Sequence, residues 1–143
     1  MAPVADKLYL PLAQLKVSKP QLFPALSDAK RRGLGGPETL LLYGATEHKA
    51  VPESLKHWNA VLQLNATVQA IPVDQHGILD LKALELLLPK AAMVCTMAAN
   101  NETGVKQDLL ALEQLIRRVN KDVRWMVDCV QALRQNVVRY RQY

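Results

Sequence analysis

The chain has 143 residues, half of them apolar, and a formal charge of +5. That length and apolar content suit one domain with its own core and exclude wholesale disorder. Aromatic residues make up only 5%, which argues against binding nucleic acid by base stacking; the basic charge fits a ligand with phosphate or carboxylate groups equally well.

In chain order, residues 1–38 read as an irregular, basic segment rich in proline and glycine. Its start has neither the apolar core nor the basic lead-in of a signal peptide, and no run in the chain is long enough to cross a bilayer. A cytoplasmic protein is the expectation. Prolines recur at Pro3, Pro11, Pro20, Pro24 and Pro37, followed closely by regular sequence. Proline at this density breaks regular elements. DKLYLPLAQL is open to a short strand or a turn of helix, and PALSDAKRRG to a short helix.

Residues 39–143 read as an α/β domain. TLLLY, bounded by Gly44, predicts a buried strand. VPESLKHWNAVLQL places Val51, Leu55, Trp58, Val61 and Leu62 on one helical face. Pro52 is tolerated only in a first turn, so that helix should start just after His48, with Thr46 available as its cap. TVQAIPV predicts a second strand, and DLKALELLL a short helix capped by Asp80. AAMVCTMA is near-continuously apolar, which predicts a strand buried on both faces and Cys95 inside the sheet. QDLLALEQLIRRVN predicts a helix with Leu109, Leu110, Leu112, Leu115 and Ile116 as its apolar positions. VRWMVD predicts a fourth strand, and CVQAL the start of another helix. Neither Cys95 nor Cys129 belongs to a CxxC pair, so no zinc site or disulfide framework is expected. Alternating strands and helices predict a mostly parallel sheet with helical crossovers.

Ligands of open α/β sheets bind beyond the carboxyl ends of the strands. The informative residues therefore follow the strands: ATEHK, ANNETG and DCVQ. His48 is either an ordinary residue near a helix start or a flat imidazole laid on a ligand ring. Asn100 to Gly104, NNETG, form either an ordinary turn or a loop in which one asparagine amide donates to a ligand oxygen. Asp128 either caps a following helix or holds a protonated ring nitrogen, the arrangement that makes a pyridine ring an electron sink. Gln131, three residues on, is placed to reach the same ligand.

TEHKAV, NNETGV and VDCVQA, in this order and at these separations, resemble the cysteine desulfurases of the class V aminotransferase family, which use pyridoxal 5'-phosphate. The stretch IPVDQHGILDLKALELLL is also similar to that family, and the likeness runs from about Leu41 to about Val138. It implies a fragment of the large domain of a pyridoxal-phosphate-dependent transferase. It implies that His48 stacks on the cofactor ring, Asn101 lies near the cofactor hydroxyl and the substrate carboxylate, Asp128 pairs with the pyridine nitrogen, and Gln131 bonds the ring hydroxyl. The family takes sulfur or selenium from cysteine or selenocysteine, leaves alanine, and usually works as a homodimer.

The chain departs from that pattern as well. It has no serine–histidine–lysine motif after Gln131, so no residue is assigned as the Schiff-base lysine and the catalytic set is empty. Residues 1–38 do not resemble the family's phosphate-binding segment. Lys49 belongs to TEHKAV without that catalytic role, and Cys129 is expected to pack, not to carry sulfur. The expectation is a truncated desulfurase-like domain, inactive alone. A split enzyme needing a complementary chain, or a non-catalytic α/β binding module, is the alternative. The basic stretches AKRRG and RQNVVRYRQY read as solvated charge and not as a nucleic-acid site, and no membrane partner is expected.

Overall fold

The computed structural model describes residues 7–10, 19–100 and 104–128. Five strands form one parallel sheet in the order β1-β5-β4-β2-β3. They are β1 (Lys7–Leu10), β2 (Leu40–Gly44), β3 (Thr67–Ile71), β4 (Ala91–Met97) and β5 (Arg124–Asp128). Four α-helices connect them: α1 (Lys19–Arg31), α2 (Ala50–Val61), α3 (Leu81–Leu87) and α4 (Leu109–Val119). A 3₁₀ turn, Leu88–Lys90, joins α3 to β4. The parallel α/β expectation is met, with one strand more than the four expected from Thr39 onward.

The helices divide between the two faces of the sheet. Leu22 and Leu26 of α1 and Val51 and Leu55 of α2 pack on Leu41, Met93, Cys95 and Met126. Leu84 of α3 and Leu112, Leu115 and Ile116 of α4 pack on Leu42, Val94, Trp125 and Val127. Residues of both β4 and β5 thus serve opposite cores, which is why β4 reads as a near-continuous apolar run and β5 is apolar from Trp125 to Val127. Cys95 is fully buried, as its setting predicted. Trp125 donates its indole hydrogen to Thr96 Oγ1 at 2.9 Å, so the strand pair carries its own buried polar contact.

Residues 19–31 form a helix, longer than the short one PALSDAKRRG offered within the segment expected to be irregular, and residues 7–10 form the short strand that was one of two options. Pro20 lies in the first turn of α1, where its missing N–H costs little, but Pro24 lies inside the helix. An interior proline costs about 3 kcal/mol. Buried Leu22, Ala25, Leu26 and Ala29 offset it, because their spacing sets one continuous stripe against α2 and the sheet. The helix ends with Gly33 at φ +78, Gly33 N–H bonding Lys30 O and Leu34 N–H bonding Ala29 O. This is the Schellman pattern that glycine favours.

Other local expectations divide. Asp80 accepts from the amides of Lys82 and Ala83 and caps α3 as expected. Asp108 does the same for α4 through Ala111. Val61 and Leu110, assigned to apolar faces, are 55% and 63% exposed. Each lies at the margin of its helix's buried stripe, beyond the reach of the sheet. Among the described residues no helix is long and apolar enough to cross a membrane.

Candidate functional site

The connections reverse direction between β2 and β4. The chain leaves β2 towards β3 on one side and leaves β4 towards β5 on the other. Right-handed crossovers then send α2 and α4 to opposite faces. The loops after β2 and β4 diverge, and a crevice opens at the carboxyl ends of these strands. The loop after β5 begins at the same edge, since Met97 of β4 is level with Asp128.

His48 stands where β2 hands over to α2 and is half-buried. Its Nδ1 accepts the Ala50 N–H at 3.1 Å. That bond anchors the ring by one edge at the helix start. Thr46 is not the cap: the cap position is Lys49, whose backbone is helical and whose side chain makes no capping bond. Imidazole Nδ1 does the work expected of a hydroxyl, because it lies two residues before the amide that needs an acceptor. Gly44 ends β2 under a tight roof, where a Cβ would meet Glu47 Oε1 and Leu79 Cδ2, each at 3.3 Å.

The loop after β4 is a narrow hairpin. Asn100 N–H bonds Val105 O at 2.8 Å and Gln107 N–H bonds Ala98 O at 2.9 Å. Gly104, at φ +71, closes the turn with its N–H on Asn100 O. Asn100 Nδ2 donates to the Thr46 carbonyl at 3.2 Å and ties this hairpin to the TEHK loop. On the other side, Gln107 Nε2 donates to Gly77 O at 2.9 Å, and Gln107 Oε1 accepts from the Leu79 amide at 3.1 Å. Neither Asn100 nor Gln107 was singled out as a site residue from sequence. A side-chain amide bonding a distant backbone leaves no spacing signal.

Asp128 is the last residue of β5, level with Met97 on one side and Leu10 on the other, and is described by its backbone. Its position at the carboxyl edge agrees with the sequence reading. Asn101, Gln131 and Cys129 lie outside the described residues, as does the helix expected from CVQAL. Burial pushes the Cys95 thiol well above the ordinary cysteine range, and the nearby Glu47 carboxylate pushes it further. A thiol so held is not a nucleophile at neutral pH. Among the described residues no group of three or more His, Cys, Asp or Glu could hold a metal ion.

A cavity of about 410 Å³ lies at the opposite edge of the sheet, lined by Arg32, Glu38, Lys90 and Asp122. It sits at the amino ends of β2 and β4, away from His48. The crevice is the better candidate, because the connections after adjacent strands β2 and β4 leave there for opposite faces, with His48 on the first of them.

A five-stranded parallel sheet with helices on both faces defines a doubly wound α/β protein. Comparison with known proteins narrows this. Residues 25–143 match the aminotransferase class-V family, and the chain belongs to it. It is 36% identical over 89 residues to the cysteine desulfurase of Mus musculus, a match that takes in 62% of this chain and 18% of the mouse protein. Among solved structures, DndA from Streptomyces lividans superposes with a TM-score of 0.64 at 27% identity, over 82% of this chain and 31% of that one. A NifS-like protein gives a TM-score of 0.60 at 28% identity, over 73% and 27%. The chain therefore spans well under half the length of these relatives. It is a cysteine-desulfurase-like domain of the class V aminotransferases.

That family depends on pyridoxal phosphate, and the described residues suit a flat ring. The His48 ring is held at one edge, half-buried, beside the crevice. Asp128 starts the loop two strands away on the same edge. Such a carboxylate is the chemical complement of a pyridinium nitrogen.

Proposed function

We propose that this domain supplies the ring-binding part of a pyridoxal-phosphate site of cysteine desulfurase type. The observation that carries the reading is the placement of His48: at the carboxyl end of β2, bonded to the first turn of α2, beside the crevice between β2 and β4. In this reading the imidazole face lies on the pyridine ring. Asp128 holds the ring nitrogen in its protonated form. Asn101 and Gln131 bond ring and substrate oxygens. When bound, the cofactor draws electrons from the substrate's bonds and so permits their cleavage. The protein's part is to hold the ring and set its charge.

The substrate of the complete site is cysteine or selenocysteine, and the natural assembly is a homodimer or a pair of complementary chains. A cytoplasmic setting belongs to the same proposal. No serine–histidine–lysine motif occurs in these 143 residues, so the polypeptide alone does not release alanine from cysteine.

Titrating the 143-residue chain with pyridoxal phosphate tests this. Saturable binding is expected without alanine release above a heat-treated control. His48→Ala weakens binding about three- to tenfold, the worth of one ring-stacking contact. Asp128→Asn weakens it about ten- to hundredfold, because a charge-assisted hydrogen bond is lost. Binding unaffected by either substitution overturns the site. Alanine release by the unsubstituted chain overturns the claim of inactivity.

A further inference from the structure

Two loops meet at the carboxyl edge without belonging to adjacent strands. The 74–79 turn follows β3, and the 98–107 hairpin follows β4, with β2 between those strands. One side chain joins them. The Gln107 amide uses both ends: Nε2 donates to Gly77 O, and Oε1 accepts from Leu79 N–H. Each loop already has internal bonds. Asp74 Oδ1 accepts from the amides of His76 and Ile78, and the hairpin is closed by its own backbone. Gln107 hydrogen-bonds one loop to the other, beside the Val105 side chain that lies next to Gly77. Gly77 sits at φ +84, a backbone conformation glycine adopts without strain.

We infer that Gln107 is a positioning residue for the cofactor site: it clamps the base of the NNETG hairpin to the 74–79 turn, while Asn100 clamps the hairpin's other side to the TEHK loop. The inference rests on the reading that this hairpin faces pyridoxal phosphate. Held from both sides, the hairpin keeps Asn100 on the Thr46 carbonyl and so steadies the loop that carries His48. Released on the Gln107 side, it keeps the Asn100 contact and loses both bonds to the 74–79 turn. Gln107 touches neither ring nor substrate, and acts through the loop.

Two substitutions separate this from a general packing role. Gln107→Leu removes both bonds at similar volume. Gln107→Glu keeps the acceptor for Leu79 N–H and loses the donor for Gly77 O. Amide hydrogen exchange on the full chain reads the clamp directly. In the Leu variant the Leu79 amide and the hairpin amides should exchange about tenfold faster, while those of β2 and β4 are unchanged. In the Glu variant Leu79 should stay slow. Pyridoxal phosphate should bind the Leu variant about tenfold more weakly at an unchanged melting temperature.

Equal Leu79 exchange in all three proteins overturns the clamp. So does uniform acceleration across the sheet, which marks a merely structural role. Unchanged affinity in the Leu variant overturns the positioning role. If the unsubstituted chain does not bind pyridoxal phosphate, the proposed function falls and the positioning role with it, while the exchange comparison still decides whether Gln107 locks the two loops. Should the Leu variant fail to fold, Gln107→Ala removes the same two bonds: a faster Leu79 amide with weaker pyridoxal phosphate binding supports the clamp, and unchanged values overturn it.

Discussion

Asp74 shows how much one side chain organises at this edge. Its carboxylate accepts from the Ile78 amide at 3.0 Å and from the His76 amide at 2.8 Å. The Ile78 hydrogen bond is the main reason its pKa is held below the usual aspartate value; partial desolvation opposes this, and the His76 amide and the His76 charge add to it. The folded state therefore favours the ionised form. The turn's support is complete above the ordinary aspartate pKa and is lost as pH falls through the lower folded value. Acidification below about pH 4 should thus loosen residues 74–79 before the sheet unfolds. Asp74→Asn should flatten that dependence, read as the exchange rates of the Gly77 and Ile78 amides after correction for intrinsic rate. An unaltered pH profile in the variant would assign the acid response to another group. The sequence offered DQHG here only as a turn between strand and helix. That this turn is also the anchor of the hairpin 28 and 30 residues on, through Gln107, depends on a tertiary contact that no local pattern encodes.

At the scale of elements, legibility followed burial. β4 was plain because both its faces are covered, so every position but Thr96 is apolar. α3 was plain because Asp80 precedes it with the right spacing to reach two free amides. α1 was not, since its prolines argue locally for a break while its buried leucines argue for a helix only once a sheet lies beneath them. The end of α2 was not legible either. Gln63 sits at φ +53, with its N–H on Ala60 O, and Leu64 N–H reaches Asn59 O. This is the same Schellman ending that α1 makes with glycine, here made with a residue whose Cβ disfavours that conformation. Asn59 secures it by bonding both the N–H and the O of Ala66, at 3.0 and 2.8 Å. Gln63→Gly removes the Cβ strain and should raise stability by about 0.5–1 kcal/mol, despite glycine's larger unfolded entropy. A denaturant melt measures it. A loss of stability would mean that the Gln63 side chain makes a compensating contact.

For the whole molecule, the open question of organisation is whether residues 1–38 belong to the domain. Their composition set them apart, yet α1 fills the face of the sheet that α2 alone leaves half covered. Leu22 and Leu26 are fully buried, in one core with Leu41, Met93, Cys95 and Met126. α1 also makes the polar ties of this face: Arg124 Nη2 lies 3.2 Å from Asp28 Oδ2, and Arg32 bonds the Asp122 carbonyl at 3.3 Å. Truncating a fully buried leucine to alanine costs about 2–5 kcal/mol. A small domain has only about 5–15 kcal/mol in total. Leu26→Ala should therefore remove a large share of the stability while leaving the fold intact. A chain starting at Thr39 loses Leu22 and Leu26 together, exposes Met93, Cys95 and Met126, and should not unfold cooperatively. Its His48 loop would then stand on a sheet with one bare face, and binding of pyridoxal phosphate should fail with it. Calorimetry of the two proteins settles the matter. A sharp transition from the shortened chain would show that α1 decorates a domain complete without it. A broad one, beside a sharp and lowered transition for Leu26→Ala, would make the proline-rich start part of the platform on which the site is built.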